Sequence, residues 1–162
     1  MSMSRESVRA LVLDPVGRIL LSRVTPLGAS GGRDLWVTLG GRLKEGEALV
    51  QALERELSEE LAQTECEIGS EVWRGDEMVN WGGKEVRLLE HFFLVRVKAG
   101  DHMFTGHEEE EAANTHELRW WTAREIASSN AKFVPCDLAA LLLELPATST
   151  SECKRVRLEG GA

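Results

Sequence analysis

The sequence predicts a mixed α/β (α+β) domain in which strands and helices alternate along the chain. Two observations predict this class: several short stretches are β-rich and apolar, and leucines recur every four residues in one segment between them. The order of strands, helix, strands and helix is typical of a sheet packed against helices. With 162 residues and 43% hydrophobic residues, the chain fits one compact domain, which we place at residues 5–145.

The N-terminal third predicts three strands. Two of them lie within residues 7–24 and flank a Pro/Gly turn signal at residues 15–17, so we expect a hairpin. Residues 35–39 form a short apolar stretch that runs into Gly40 and Gly41. We interpret this glycine pair as a turn where backbone can approach a ligand closely.

The middle of the chain predicts an amphipathic helix of about four turns. Leu49, Leu53, Leu57 and Leu61 recur at helical spacing and define its buried face. The C-terminal half then predicts, in order, strands at 67–73 and 86–97, an acidic loop at 100–117, a strand at 118–122, helices at 123–129 and 135–145, and a flexible tail at 146–162. Thr122 followed by Glu125 is a capping box for the first of these helices.

Three carboxylates lie close together on the leucine helix. Glu56, Glu59 and Glu60 fall within five positions, and like charges at helical spacing repel by roughly 0.2–0.5 kcal/mol a pair. The sequence between Glu45 and Val79 offers no lysine to pair with them. A solvated acidic face is the ordinary interpretation, but clustered hard oxygen ligands also suit Mg²⁺ or Mn²⁺.

The spacing around this cluster resembles the signature of the Nudix hydrolases. That signature is a glycine, five residues, Glu, seven residues, and then Arg-Glu-apolar-x-Glu-Glu. Here the positions are Gly41, Glu47, Arg55, Glu56, Leu57, Glu59 and Glu60, and every charged position is met. We call residues 41–61 the box. Ala62 stands where the family has a glycine. This departure concerns the way in which the helix ends and does not affect the acidic cluster.

The resemblance implies an α/β/α sandwich with a mixed sheet between helices. It also implies a Mg²⁺- or Mn²⁺-dependent hydrolase that uses water to cleave a phosphoanhydride bond in a nucleoside di- or triphosphate or a nucleoside diphosphate derivative. By position, the metal ligands would be Glu56, Glu59, Glu60 and a carbonyl of Gly40 or Gly41. The catalytic set would be Glu59 and Glu60, with Arg55 orienting the glutamates through a contact to Glu47.

Residues outside the box are less defined. The candidates for substrate contact are Arg23, Arg33, Arg42 and Arg87, with Trp36, Trp73 or Trp81 stacking a base. The alternative interpretation is that each of these arginines is an ordinary surface residue that does not contact the substrate. Glu110 or Glu111, in the acidic loop, would join the site as a substrate contact or as the general base. His91 lies in an apolar strand, and we interpret it as structural.

Charge and cysteine usage limit the partners. A net charge of −8 argues against broad binding to nucleic acid, and the chain shows no signal peptide and no bilayer-length apolar run. The cysteines are odd in number and widely spaced, which indicates reduced thiols in the cytoplasm. We therefore expect a small-molecule nucleotide as substrate and leave a homodimer open.

Other functions remain as alternatives. A non-catalytic Nudix-fold nucleotide-binding or regulatory module is the main one, although such modules usually lose box glutamates. An isopentenyl diphosphate isomerase would need an early cysteine, and none precedes Cys66. The acidic charge disfavours mRNA decapping. Marks of specialised subfamilies are mostly absent, so the nucleotide itself is not predicted.

Overall fold

The computed structural model describes residues 3–24, 35–61, 65–81, 83–98, 115–145 and 153–158. Within this part of the chain, eight strands form one mixed sheet and three helices pack on it. The strands are β1 (Met3–Leu13), β2 (Ile19–Val24), β3 (Leu35–Arg42), β4 (Cys66–Trp81), β5 (Lys84–Val97), β6 (Thr115–Trp121), β7 (Lys132–Val134) and β8 (Lys154–Arg155). The helices are α1 (Leu49–Leu61), α2 (Ala123–Ser128) and α3 (Leu138–Glu144).

Strand β1 is central to the sheet. The order is β6-β2-β3-β1-β5-β4-β8, and β7 pairs with β3. β1 runs antiparallel to β3 but parallel to β5 along its whole length, from Met3 opposite Val86 to Leu13 opposite Arg96. β4 and β5 form a long antiparallel hairpin that turns at Gly83, whose φ is 85°. The mixed sheet confirms the predicted fold class.

Helix α1 covers one face of the sheet. The predicted leucine row is buried there: Leu53, Leu57 and Leu61 pack with Ala52 against alternate residues of the central strands. Burying a leucine side chain contributes about 1.5–3 kcal/mol, so this apolar stripe holds the helix in place. Glu56 borders the stripe and is buried with it.

Helices α2 and α3 cover the opposite face. Ile126, Leu138 and Leu141 pack there with the other set of alternating strand residues, so the sheet lies between helices on both sides as predicted. The capping box of α2 is present: Glu125 N donates to Oγ1 of Thr122 at 3.0 Å, and Thr122 N donates to Oε1 of Glu125 at 3.0 Å.

Two local predictions were wrong. β1 and β2 do not form a hairpin beyond the turn, because they pair only at Leu13 and Ile19 and then diverge to admit β3 between them. Gly40 and Gly41 are not a turn but strand residues, paired with β1. The chain turns later, where Glu47 N donates to the carbonyl of Lys44 at 3.0 Å.

The tail prediction was also wrong for residues 153–158. β8 pairs in parallel with β4, and Val156 N donates to the carbonyl of Arg74 at 3.0 Å. Val156 and Leu158 are buried in the core on the α2–α3 face. A Cβ at Gly75 would clash with Leu158, whose Cγ would be 2.7 Å away, so the glycine opens the space that this leucine fills. Alternating apolar residues at 156 and 158 are too short a pattern to predict a strand.

No helix among the described residues is long and apolar enough to cross a bilayer. Cys66, Cys136 and Cys153 are not joined by disulfides, and burial raises the pKa of each thiol. The cytoplasmic location stays a prediction.

Candidate active site

The carboxylate of Glu56 lies directly against the backbone of Gly41. Glu56 projects from α1 toward β3, and its side chain is only 10% exposed. A Cβ at Gly41 would clash with this carboxylate, whose Cδ would be 2.5 Å away. At Gly40 the φ is 139°, and a Cβ there would clash with the carbonyl oxygen of Val8. Both glycines are therefore required by close approach, which any side chain would prevent.

Arg55 connects the loop before α1 to the helix glutamates. Its Nε and Nη2 donate to the two carboxylate oxygens of Glu47 at 2.8 and 2.9 Å, which is a bidentate pair. Nη1 donates to Oε1 of Glu56 at 2.8 Å, and Nη2 also donates to the carbonyl of Arg42 at 3.1 Å. One guanidinium thus joins the loop, the helix and the end of β3. The contact between Arg55 and Glu47 that we expected is present.

The electrostatics of this pair favour the charged form of each partner. The hydrogen bond from Arg55, with that from Lys44 N at 2.9 Å, lowers the pKa of Glu47 to about 2. The hydrogen bond to Glu47 raises the pKa of Arg55, although burial acts in the opposite direction. Both groups are ionised at neutral pH, so the bidentate pair is intact there.

Glu59 and Glu60 continue the acidic row along α1. Oε1 of Glu59 lies 3.8 Å from Nη1 of Arg55, and this side chain is 38% exposed. Glu60 follows Glu56 by about one helical turn, so both border the buried leucine stripe, and Glu60 is half-buried. The row therefore runs from the Gly41 backbone to a position that water can reach.

The chemistry of this acidic row fits a hard divalent cation. Carboxylate and backbone carbonyl oxygens are the ligands that Mg²⁺ and Mn²⁺ prefer. Among the described residues, no three His, Cys, Asp or Glu side chains are already grouped as a metal cluster. Mg²⁺ usually takes one or two carboxylates and completes its shell with waters and substrate phosphates, so a partial protein shell suits it.

The structure places Arg23 away from the box. Its guanidinium lies 6.0 Å from the Trp36 ring and 3.2 Å from a carboxylate oxygen of Glu117, on the face opposite α1. Arg23 pairs with Trp36 in the register of β2 and β3, five residues before Gly41, which is about 17 Å along a strand. This geometry does not support a phosphate contact from Arg23 beside the box.

Of the other predicted substrate contacts, the structure describes Arg42 and Arg87 but not the rest. Strand alternation puts the Arg42 side chain on the face opposite Gly41, although its carbonyl bonds Arg55. Arg87 makes a bidentate pair with Asp76 at 2.8 and 2.7 Å. Arg33, Glu110 and Glu111 lie outside the described residues, as does residue 62.

The tryptophans do not form the predicted base platform. Trp36 and Trp73 are both buried in the core on the α2–α3 face, with Trp73 beside Phe92 and Trp36 beside Trp121. Neither can stack a base in this arrangement, so that expectation was wrong for these two residues. The side chain of Trp81 lies outside the part of the chain that the structure describes.

One charge network near the box escaped the sequence analysis. His91 is buried, and its Nδ1 and Nε2 lie 2.6 and 2.7 Å from carboxylate oxygens of Glu71 and Glu6. Arg74 donates twice to Glu71, at 3.1 and 2.9 Å. Burial alone would raise the pKa of Glu71, but the hydrogen bonds from Arg74 and His91 lower it. These residues come from three strands, so no spacing in the sequence marks them.

A family model of the NUDIX domain matches residues 3–139. This match agrees with the observed sheet between helices and with the glutamate row beside Gly41, and it confirms the predicted resemblance. The chain belongs to the Nudix hydrolase family. Comparison with curated protein sequences finds no matching relative.

Solved structures share the fold. The solution structure of the E. coli ORF135 protein is 25% identical, with 88% of each chain covered and a TM-score of 0.54. A MutT protein from Methanosarcina mazei Go1 is 17% identical, with 88% of this chain and 92% of that chain covered and a TM-score of 0.61. An ADP-ribose pyrophosphatase from Streptococcus suis is 18% identical, with 93% and 98% covered and a TM-score of 0.59.

Proposed function

We propose that this chain hydrolyses a phosphoanhydride bond in a nucleoside di- or triphosphate, or in a nucleoside diphosphate derivative, with the help of Mg²⁺ or Mn²⁺. The observation that carries the proposal is the guanidinium of Arg55, bonded at once to Glu47 and to Glu56. This arrangement fixes a buried carboxylate against Gly41. A carboxylate fixed in this way is useful when a cation and a phosphate must be positioned.

The residues that would hold the cation are Glu56, Glu59 and Glu60, with a carbonyl of Gly40 or Gly41. When bound, the cation would neutralise charge on the phosphate oxygens and acidify a water molecule. The absence of side chains at the two glycines leaves room for the Glu56 carboxylate beside Gly41 and for the Val8 carbonyl beside Gly40, so the backbone of β3 and the glutamate row lie close together.

The protein groups have separate roles in this scheme. Arg55 would act as a positioning residue, since it bonds Glu56, and Glu47 would act through its bidentate pair with Arg55. Glu59 or Glu60 would accept the proton of the attacking water, and the exposure of Glu59 leaves it accessible for that task. Water then forms a bond to phosphorus while the bond from phosphorus to the bridging oxygen breaks, and the leaving phosphate takes the electron pair.

The main experiment is a substrate panel with Mg²⁺, with Mn²⁺ and with excess EDTA. Nucleoside triphosphates, diphosphates, ADP-ribose and dinucleoside polyphosphates are incubated with the full chain, and the products are resolved by chromatography. We expect turnover of at least one compound, no turnover in EDTA, and ¹⁸O from labelled water in a phosphate product. Label on a sugar carbon, or full turnover in EDTA, would rule out this mechanism.

The alternative of a non-catalytic nucleotide-binding module has its own outcome in the same panel. It predicts saturable nucleotide binding by calorimetry with no product from any compound. The Glu60→Gln variant is the matched control for traces of contaminating hydrolase, because contaminant activity would not respond to a substitution in this chain.

A further inference from the structure

His91 lies on the same face of the sheet as the glutamate row. In the register of the strands, Gly41 on β3 lies opposite Val8 on β1, and Val8 lies opposite His91 on β5. Directly paired residues share a face, and Val8 packs in the core beneath α1, so the imidazole projects to the side of that helix. Two strand spacings, about 10 Å, separate the backbone of His91 from Gly41.

The imidazole of His91 connects three strands. Its Nδ1 lies 2.6 Å from Oε2 of Glu71 on β4, and its Nε2 lies 2.7 Å from Oε2 of Glu6 on β1. The side chain of His91 is only 7% exposed, and Glu71 also accepts two hydrogen bonds from Arg74. Polar groups that are bonded away from water resist separation, because each would lose its partner without gaining a water molecule. His91 therefore holds Glu6 to the β4–β5 hairpin.

Glu6 in turn holds the end of β3. Its backbone carbonyl accepts a hydrogen bond from Leu43 N at 3.0 Å, just past the last residue of that strand. The carbonyl of the preceding residue, Arg42, accepts a hydrogen bond from Nη2 of Arg55 at 3.1 Å. The end of β3 is thus bonded to β1 on one side, and on the other side to the guanidinium that also bonds Glu56.

We infer that His91 is a positioning residue for the active site, which acts through Glu6 on the end of β3 and so on Arg55. The contacts form a continuous path from the imidazole to the guanidinium. The inference rests on the proposed function, because it gives His91 a part in holding the glutamate row for the cation. The simpler role is a clamp that only stabilises the pairing of β1, β5 and β4. The two roles differ in what happens to Arg55 when the contacts of His91 are lost.

A neighbouring residue provides a matched control. His91→Leu removes both contacts of the ring, yet it leaves Glu71 paired with an arginine and leaves Glu6, whose side chain is 43% exposed, open to water. The control is Glu90→Gln. Glu90 precedes His91 on β5 and is similarly buried, but it bonds Arg9 on the opposite face of the sheet. Both substitutions disturb buried polar contacts of one strand, and only His91→Leu removes the link to Glu6.

The direct measurement is hydrogen exchange of Arg55 in the full chain, without cation or substrate. The Nε proton of Arg55 is bonded to Glu47 and should exchange slowly in ¹⁵N-edited NMR. Loosening the end of β3 weakens the bond from the guanidinium to the Arg42 carbonyl, so His91→Leu should raise this exchange rate about tenfold, the effect of one hydrogen bond. Glu90→Gln should leave the rate unchanged. An unchanged rate in folded His91→Leu, or an equal rise in Glu90→Gln, would overturn the inference.

Variants of Glu6 test the path itself, since spatial continuity alone does not prove coupling. Glu6 is half-exposed, so Glu6→Ala should fold, and it should raise the exchange rate of Arg55 as His91→Leu does. The double variant should exchange no faster than the faster single variant, whereas additive effects would mean that the two residues act independently and would overturn the path. Glu6→Gln can still donate or accept toward the ring and should stay close to the parent chain.

Kinetics of the same variants test the link to turnover. We expect kcat of His91→Leu to fall about tenfold with little change in KM, because the glutamate row is misplaced while the substrate contacts remain. A normal kcat in this variant would contradict the inference. If the parent chain hydrolyses no compound of the substrate panel, the proposed function fails, whereas the exchange rates of Arg55 still decide whether His91 positions it.

Discussion

The Nε of Arg55 lies 2.8 Å from Oε2 of Glu47, although the two residues are eight positions apart. The same guanidinium bonds Glu56 and the carbonyl of Arg42. A side chain that makes these bonds at once is a structural support for the glutamate row, and its geometry depends on the planar fork of arginine.

Replacing Arg55 by lysine should lower kcat by about 100-fold, because misplacement of catalytic groups by about 1 Å can have that effect. An ammonium group keeps the charge but cannot bond two carboxylates in a fixed plane. KM should change little, since the bonds of Arg55 go to Glu47, Glu56 and the carbonyl of Arg42. Steady-state kinetics separate the two constants, and a large rise in KM with normal kcat would instead make Arg55 a substrate contact.

Replacing Glu60 by glutamine should lower kcat strongly and leave the melting temperature within a few degrees of the parent. The substitution removes a charge from a like-charged row, which helix electrostatics favour by roughly 0.2–0.5 kcal/mol. Glu54→Gln is the matched control, because Glu54 is an exposed glutamate of the same helix. Equal losses of melting temperature and activity would indicate a structural role. Glu56→Gln is a less clean test, since it also weakens the bond to Arg55.

Replacing Gly41 by alanine should impair activity more than fold. A Cβ at this position would overlap the carboxylate of Glu56 and push it out of place. Gly69→Ala is the strand control, because the nearest atom to a Cβ there, the carbonyl oxygen of Leu94, is 3.3 Å away. Kinetics and circular dichroism of both variants test this. Normal kcat in Gly41→Ala would show that the position of Glu56 does not matter for turnover.

The bond between Glu47 and Arg55 should survive to low pH. The pKa of Glu47 is lowered from its ordinary value of 4.5 to about 2, so its stabilising contribution is complete above pH 4.5 and is lost as the pH falls toward 2. Carbon-detected NMR of the carboxyl group should show Glu47 still ionised near pH 3.5, and Arg55→Ala should return its midpoint toward about 4.3. A midpoint near 4 in the parent chain would contradict the bidentate pair.

Replacing Leu158 by alanine should lower the free energy of unfolding by about 2–4 kcal/mol, because it leaves a cavity beside Gly75. Leu158 is 2% exposed, whereas Leu143, on the outer side of α3, is 79% exposed. Leu143→Ala is therefore the control and should stay within about 0.5 kcal/mol of the parent. Chemical denaturation measures both. Equal, small effects would show that residues 153–158 do not contribute to the core.

Some features were determined by the sequence alone because they depend on neighbours within about two turns of helix. The leucine row of α1 and the acidic row of Glu56, Glu59 and Glu60 follow from helical periodicity, and the capping box of Thr122 and Glu125 follows from its three-residue spacing at a helix start. The bond from Arg55 to Glu47 was expected from the family resemblance, which makes Arg55 the residue that orients the glutamates. These local predictions are present in the structure.

Other features were decided only by the tertiary structure, because they depend on which distant strands pair. The parallel pairing of β1 with β5 brings His91 between Glu6 and Glu71 and sets Glu90 beside Arg9. Insertion of β3 beside β1 makes Gly40 and Gly41 strand residues.

The pairing of β3 with β1 decides on which face of the sheet the Arg42 side chain lies. A shift of one residue in register would move Arg42 to the face of α1, and nothing in the local sequence prevents that shift. The burial of Leu158 against Gly75 joins segments more than eighty residues apart. Hydrophobic periodicity indicates which secondary structure a segment can form by itself. Strand pairing and side-chain burial depend instead on the free energy of the whole chain.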